Sequence, residues 1–191
     1  MRKRNLVILV VLASLALLFF ASGCQKSSEK EVQAAKTSLE EAKAVEADKY
    51  VSDLYISAEQ DVMLAESLMT AKNFKESKTY ALSAKEKADS AKTIAPAKKE
   101  EFKANAEAAL NDAKTKLEQF KTALKAAKKV RKATMDKLNQ DATDAEAMIS
   151  NAQAAFDGGD FATALNMAGG ITAKIDQCNA ELEAATTAKK K

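Results

Sequence analysis

Histidine and tryptophan are absent from this chain, proline occurs once and glycine five times. Histidine is the commonest general acid–base group and the commonest metal ligand near neutral pH. Its absence removes most hydrolase and zinc-site templates, and no other acid–base constellation stands out, so the chain does not read as an enzyme. Aromatic and β-branched residues are sparse, whereas 40 of the 191 residues are alanine, and Ala, Lys, Glu, Leu and Gln are all good helix formers. This composition predicts an all-α fold with a thin core. An alanine methyl buries far less than the roughly 1.5–3 kcal/mol available from a Leu or Phe, so such helices must run long and approach closely.

The chain opens with Arg2, Lys3 and Arg4, continues in an apolar run over residues 6–20, and reaches Cys24 through Ala21, Ser22 and Gly23. A basic head, a short apolar run and small residues before a cut site make a secretory signal peptide. The run is also shorter than the roughly 20 apolar residues that a membrane-spanning helix needs. Ala21-Ser22-Gly23-Cys24 resembles a bacterial lipobox, with Ala21 where Leu is usual. That resemblance implies an acyl chain on the Cys24 thiol, cleavage just before Cys24 and no other cofactor. Gln25 at the following position, where Asp marks inner-membrane retention in diderm bacteria, implies the outer membrane, with the protein on its periplasmic side. Cys178 then has no intramolecular partner in a compartment where disulfides persist.

Charge follows from the same cut. The whole chain carries 30 Lys+Arg against 27 Asp+Glu; three of the cations leave with the leader and no acid does, so the 168 residues that remain are formally neutral. A nucleic-acid partner, which needs a net basic face, is therefore not expected.

The organisation reads as a leader over 1–23, a lipidated cysteine and polar tether over 24–30, and a first helical unit over 31–95. A long connecting helix follows over 96–138, then a second helical hairpin over 139–188 and a basic tail over 189–191. Val32, Ala35, Leu39 and Ala42 recur at helical steps, as do Tyr55, Ala58, Val62, Ala65 and Met69. Asn73 before Phe74, with Glu76 three residues on, has the form of a capping box. A seam of Ser77, Ala81, Ala84, Ala88, Ala91 and Ala95 follows, and Pro96 predicts a break or sharp kink. Ala142, Ala145, Ile149, Ala152 and Phe156 stand 87 positions after Tyr55, Ala58, Val62, Ala65 and Met69. At the same offset Asp160-Phe161 follows Asn73-Phe74, and Ala164, Ala168, Ile171, Ile175, Cys178 and Leu182 follow the alanine seam. Two similar antiparallel helical hairpins joined by a long helix, elongated in shape, are the expected architecture.

The first hairpin and its leading helix resemble a recurrent alanine-rich domain of unknown function in bacterial envelope lipoproteins. The likeness rests on Ala47-Asp48-Lys49-Tyr50, Leu54, Ala58, Ala65, the Asn73-Phe74 turn and the Ala81, Ala84, Ala88 and Ala91 ladder. It covers about a third of the chain and implies a helical fold and an envelope location, with no catalytic residues to transfer.

Few side chains invite a site. Lys121, Lys125, Lys128, Lys129, Arg131, Lys132 and Lys137 form a basic stretch, while no Lys or Arg occurs from Leu138 to Ala173. The stretch would contact anionic headgroups or glycan-linked phosphates, or else pair with an acidic neighbouring helix or be simply solvated. Lys189, Lys190 and Lys191 end the chain, and Lys191 resembles the peptidoglycan-linked terminal lysine of the murein lipoprotein. Asp157-Gly158-Gly159-Asp160 lacks the alternate oxygen ligands of an EF-hand and reads as a turn capped by Asp160. Cys178 falls on an apolar seam, and Gly169-Gly170 predicts a close helix crossing or a kink. The expected partners are a membrane reached through the anchor, an envelope protein and, through the basic stretch and Lys191, peptidoglycan or anionic headgroups.

Overall fold

A computed structural model describes residues 27–187, so the leader, Cys24, most of the tether and the Lys189–Lys191 tail lie outside the described residues. The described residues hold six helices and no strand: α1 (Glu29–Ala44), α2 (Ala47–Tyr50), α3 (Ser52–Thr70), α4 (Phe74–Ala126), α5 (Lys132–Asp157) and α6 (Phe161–Thr187). The protein is all-α. It divides into two compact units, the first containing residues up to 48 and Ser52–Thr93, the second Lys49–Val51 and the chain from Ile94 onward.

In the first unit three helices alternate in direction. Lys36 on α1 pairs with Glu66 on α3, whereas Lys78 and Lys92 on α4 pair with Glu31 and Glu41 on α1, so α1 is antiparallel to α3 and parallel to α4. Val32, Ala35, Val62, Ala65, Ala81 and Ala84 form the core, with Leu39 and Met69 against it. Alanine on all three helices lets the backbones come close enough to place hydroxyls in the seam. Ser77 is fully buried, and its hydroxyl donates to the Ala65 carbonyl at 2.8 Å while accepting from Ser28 at 2.6 Å. Ser28 stands at the N-cap of α1 yet makes no side-chain cap, its hydroxyl being turned into the seam toward Ser77.

The second unit repeats the pattern with larger side chains. Lys114 on α4 reaches Gln153 on α5, Lys116 reaches Asp176 on α6, and Lys137 on α5 pairs with Glu181 on α6. Its core joins Leu110, Ala113, Leu117, Phe120 and Leu124 to Leu138 and Ile149 of α5 and to Ile171, Ile175 and Leu182 of α6. The 87-residue offset holds in burial. Ala81, Ala84, Ala88 and Ala91 are as buried as Ala168, Ile171, Ile175 and Cys178, and Val62 and Ala65 as Ile149 and Ala152.

The offset also holds atom by atom in the turns. Lys72 and Gly159 both take the left-handed conformation, with φ 60° and 81°. The Lys72 and Asn73 N–H groups bond Met69 and Leu68 carbonyls; those of Gly159 and Asp160 bond Phe156 and Ala155. Each is a Schellman closure, in which two otherwise orphaned carbonyls of the outgoing helix are satisfied.

Three expectations are corrected. Helix α4 runs on through Pro96 as one helix, so of the break or sharp kink expected there the break is absent. Pro96 and Lys92, whose carbonyl loses its intrahelical donor, are both exposed, so water can take the place of the missing N–H. The connecting helix was expected to reach Leu138 but ends at Ala126, and α5 begins at Lys132. Residues 121–135 contain six cations, Lys121, Lys125, Lys128, Lys129, Arg131 and Lys132, and no acid, so like charges three and four apart oppose a continuous helix there. Finally, of the close crossing or kink expected at Gly169-Gly170, the close crossing is absent among the described residues, since a Cβ added at either meets nothing within 4 Å.

Candidate anionic-surface site

The turn from α4 into α5 gathers most of the basic stretch. Lys125 lies in the last turn of α4, Lys128 and Lys129 in the connection, Arg131 at the N-cap of α5 and Lys132 at its first position. Lys129 is left-handed at φ 66°, and Arg131 is extended at φ −64° and ψ 141°. The chain thus leaves α4 and re-enters α5 within five residues, anchored by the half-buried Val130 and Ala127 against the core.

The stretch is not uniform. Lys121 pairs with Glu118 at 3.1 Å and with Glu146 on α5, and those two carboxylates, Glu146 first, hold its ammonium above the ordinary lysine pKa. Lys137 pairs with Glu181 at 2.6 Å and with Asp141 at 3.2 Å, and it too is raised, chiefly by Glu181. These flanking residues follow the expectation that the basic helix pairs with an acidic neighbour. Lys125, Lys128, Lys129, Arg131 and Lys132 do not: all five are exposed and none makes a salt bridge among the described residues. Within the six candidate contacts Lys121 is therefore a structural cation, and the other five form the open cluster.

Beside them an open groove of about 320 Å³ between α4 and α5 is lined by Glu118, Lys121, Leu124, Lys125, Asn139, Thr143 and Glu146. Its two carboxylates are both engaged by Lys121, which leaves no opposed acid–base pair there.

The remaining candidates find ordinary roles. Asp157 accepts from the Gln153 amide at 2.9 Å, and Asp160 caps α6 by accepting from the Thr163 N–H at 3.3 Å. No group of three or more potential metal ligands occurs among the described residues. Cys178 is buried on the seam, and burial pushes its thiol pKa up. The Asn73 amide donates to Glu76 at 2.8 Å rather than receiving a backbone N–H, so the capping box is closed between side chains. Cys24 and Lys191 lie outside the described residues, and no described helix is long and apolar enough to cross a membrane.

Two structural roles escaped the spacing argument. Spacing put Ser77 on the alanine seam, but only its polar type hinted at the hydrogen bonds it makes there. Tyr50 lies between helical patterns, and nothing in its spacing signalled its bond to Gly159. Set against known proteins, the chain matches no family model, no curated protein and no solved structure.

Proposed function

We propose that this chain is a bacterial envelope lipoprotein, held by an acylated Cys24 at the periplasmic face of the outer membrane. It works there as a helical interaction or structural module and not as an enzyme. The observation that carries this reading is the leader itself: a basic head, a short apolar run and Ala21-Ser22-Gly23-Cys24, followed by a polar tether and then a helical domain. The domain suits such a role because internal seams hold its helices together while Lys, Glu and Asp share the outward faces with exposed Ile56, Met63, Leu64, Tyr80, Leu82 and Ile94, which leaves both charged and apolar surface for a partner. The resemblance of its first part to an envelope lipoprotein domain points the same way.

The test is lipid attachment. In cells fed labelled palmitate, the wild-type chain should take up label and sediment with membranes. Cys24→Ser should take up none, and should either keep its leader or become soluble. A Cys24→Ser chain that still labels and still sediments would overturn the reading.

A further inference from the structure

We propose that the α4–α5 end of the second unit is an electrostatic contact surface for an anionic lipid bilayer, carried by Lys125, Lys128, Lys129, Arg131 and Lys132. The inference goes beyond the anchoring reading and does not need it: an acyl chain holds a protein to any bilayer, whereas these cations would select a negatively charged one.

Charge placement is the first argument. Lys121 and Lys137 flank the cluster, and each is matched by two carboxylates. Between them five exposed cations stand with no ion pair among the described residues, in a span where no acid occurs from Lys121 to Met135. Among the described residues, Asp136, at the start of α5, and Glu183, two residues beyond the Glu181 that pairs with Lys137, are the carboxylates at this end that carry no salt bridge. Two such acids against five cations leave a local excess of positive charge on a chain whose 168 residues after the leader are neutral. Attraction would therefore be local to this end.

The chemistry of the cluster favours lipid over other polyanions. Four of the five cations are lysines, compact hydrated point charges without the fork that reads a single phosphate or base. No aromatic residue occurs between Phe120 and Phe156, so nothing offers a stacking platform for bases or sugar rings. The cations sit on a helix end, a turn and a helix start, which presents them as an outward cap and not as a groove that tracks a strand. Diffuse headgroup phosphates on a surface ask for that arrangement.

The experiment is lysine footprinting of the full chain bound to vesicles of phosphatidylcholine alone or of phosphatidylcholine mixed with phosphatidylglycerol. Acetylation rates are read residue by residue by mass spectrometry. Lys125, Lys128, Lys129 and Lys132 should react several-fold more slowly on the anionic vesicles, exposed Lys75 of the first unit should not change, and high salt should erase the difference. Each cation removed should weaken the contact about fivefold. A Lys128→Gln, Lys129→Gln, Arg131→Gln triple variant should then lose the protection of Lys125 and Lys132, while a Lys128→Arg, Lys129→Arg variant keeps it. These side chains are exposed and unpaired, and an unchanged far-UV spectrum verifies the fold. Equal rates on the two kinds of vesicle would overturn the proposal, as would equal slowing of Lys75. Protection by nucleic acid or cell-wall fragments but not by anionic vesicles would overturn it too. The footprint is read whether or not Cys24 is acylated, so its failure leaves the anchoring reading standing, and failed palmitate labelling leaves this one.

Discussion

The Tyr50 hydroxyl donates to the carbonyl oxygen of Gly159, 3.1 Å away and 109 positions later in the chain. Gly159 is the left-handed residue that closes α5, so the bond lands on a turn whose own N–H is already committed to Phe156. The Tyr50 ring meets Phe102 edge-on with centroids 5.4 Å apart, and Lys99 lies 5.8 Å over its face. With Ala106, Phe161 and Ala164 it forms a small core of its own.

Tyr50 therefore acts in two separable ways. Tyr50→Phe removes one hydrogen bond and should cost about 0.5–1.5 kcal/mol. Tyr50→Ala also removes a ring that is 4% exposed and should cost roughly 3–5 kcal/mol. Chemical denaturation of both variants measures this; a Tyr50→Ala chain as stable as wild type would mean that the ring is not packed.

The paired turns predict opposite signs at equivalent positions. Lys72 bears a side chain in a conformation that costs a non-glycine residue roughly 1–2 kcal/mol, whereas Gly159 adopts it freely. Lys72→Gly should raise the denaturation midpoint and Gly159→Lys should lower it, each by about 1 kcal/mol. At the next position Asp160→Ala should cost about 0.5–2 kcal/mol by losing the bond from Thr163, and Asn73→Ala less, because Asn73 reaches a side chain instead of a backbone N–H. Equal losses at Asn73 and Asp160 would contradict the side-chain closure.

Helical periodicity made the seams legible, because the faces of Tyr55, Ala58, Val62 and Ala65 and of Ala142, Ala145, Ile149 and Ala152 had to be buried. The ends of elements were harder. The course through Pro96 depends on the exposure of Pro96 and Lys92, which is a tertiary property. The left-handed turn was signalled at Gly159 but not at Lys72, a residue type with no turn preference of that kind. Phe74 and Phe161 looked equivalent, yet Phe161 is buried and Phe74 half-buried, because only Phe161 has Phe156 against it, 5.2 Å away. For the candidate site, the basic run was visible in the chain. Which cations are paired was not, since Glu146 and Glu181 come from other helices.

Cys178 supplies a test of burial through pH. Its folded pKa is raised by burial, so its contribution to stability is fully present below the unfolded thiol pKa, about 8.5, and is lost as pH rises through the folded value. Stability of the wild-type chain should therefore fall more steeply above about pH 8.5 than that of Cys178→Ala. Denaturation midpoints of both chains across that range provide the measurement, and lysine titration cancels in the comparison. Parallel curves would show that the thiol is equally ionisable in both states.

Gly169 and Gly170 lie in the interior of α6, where each glycine costs about 0.5–1 kcal/mol relative to alanine through backbone entropy. Neither residue has a positive φ, both are exposed, and an added methyl at either would meet open space. The close crossing that would justify them is absent, so Gly169→Ala and Gly170→Ala should each stabilise the chain by about 0.5–1 kcal/mol. The measurement is the denaturation midpoint of both single variants, with far-UV helicity as the control. Loss of stability at either position, independent of protein concentration, would mean that α6 needs glycine's backbone freedom there. A loss that deepens as the protein is concentrated would instead place a second copy against that face.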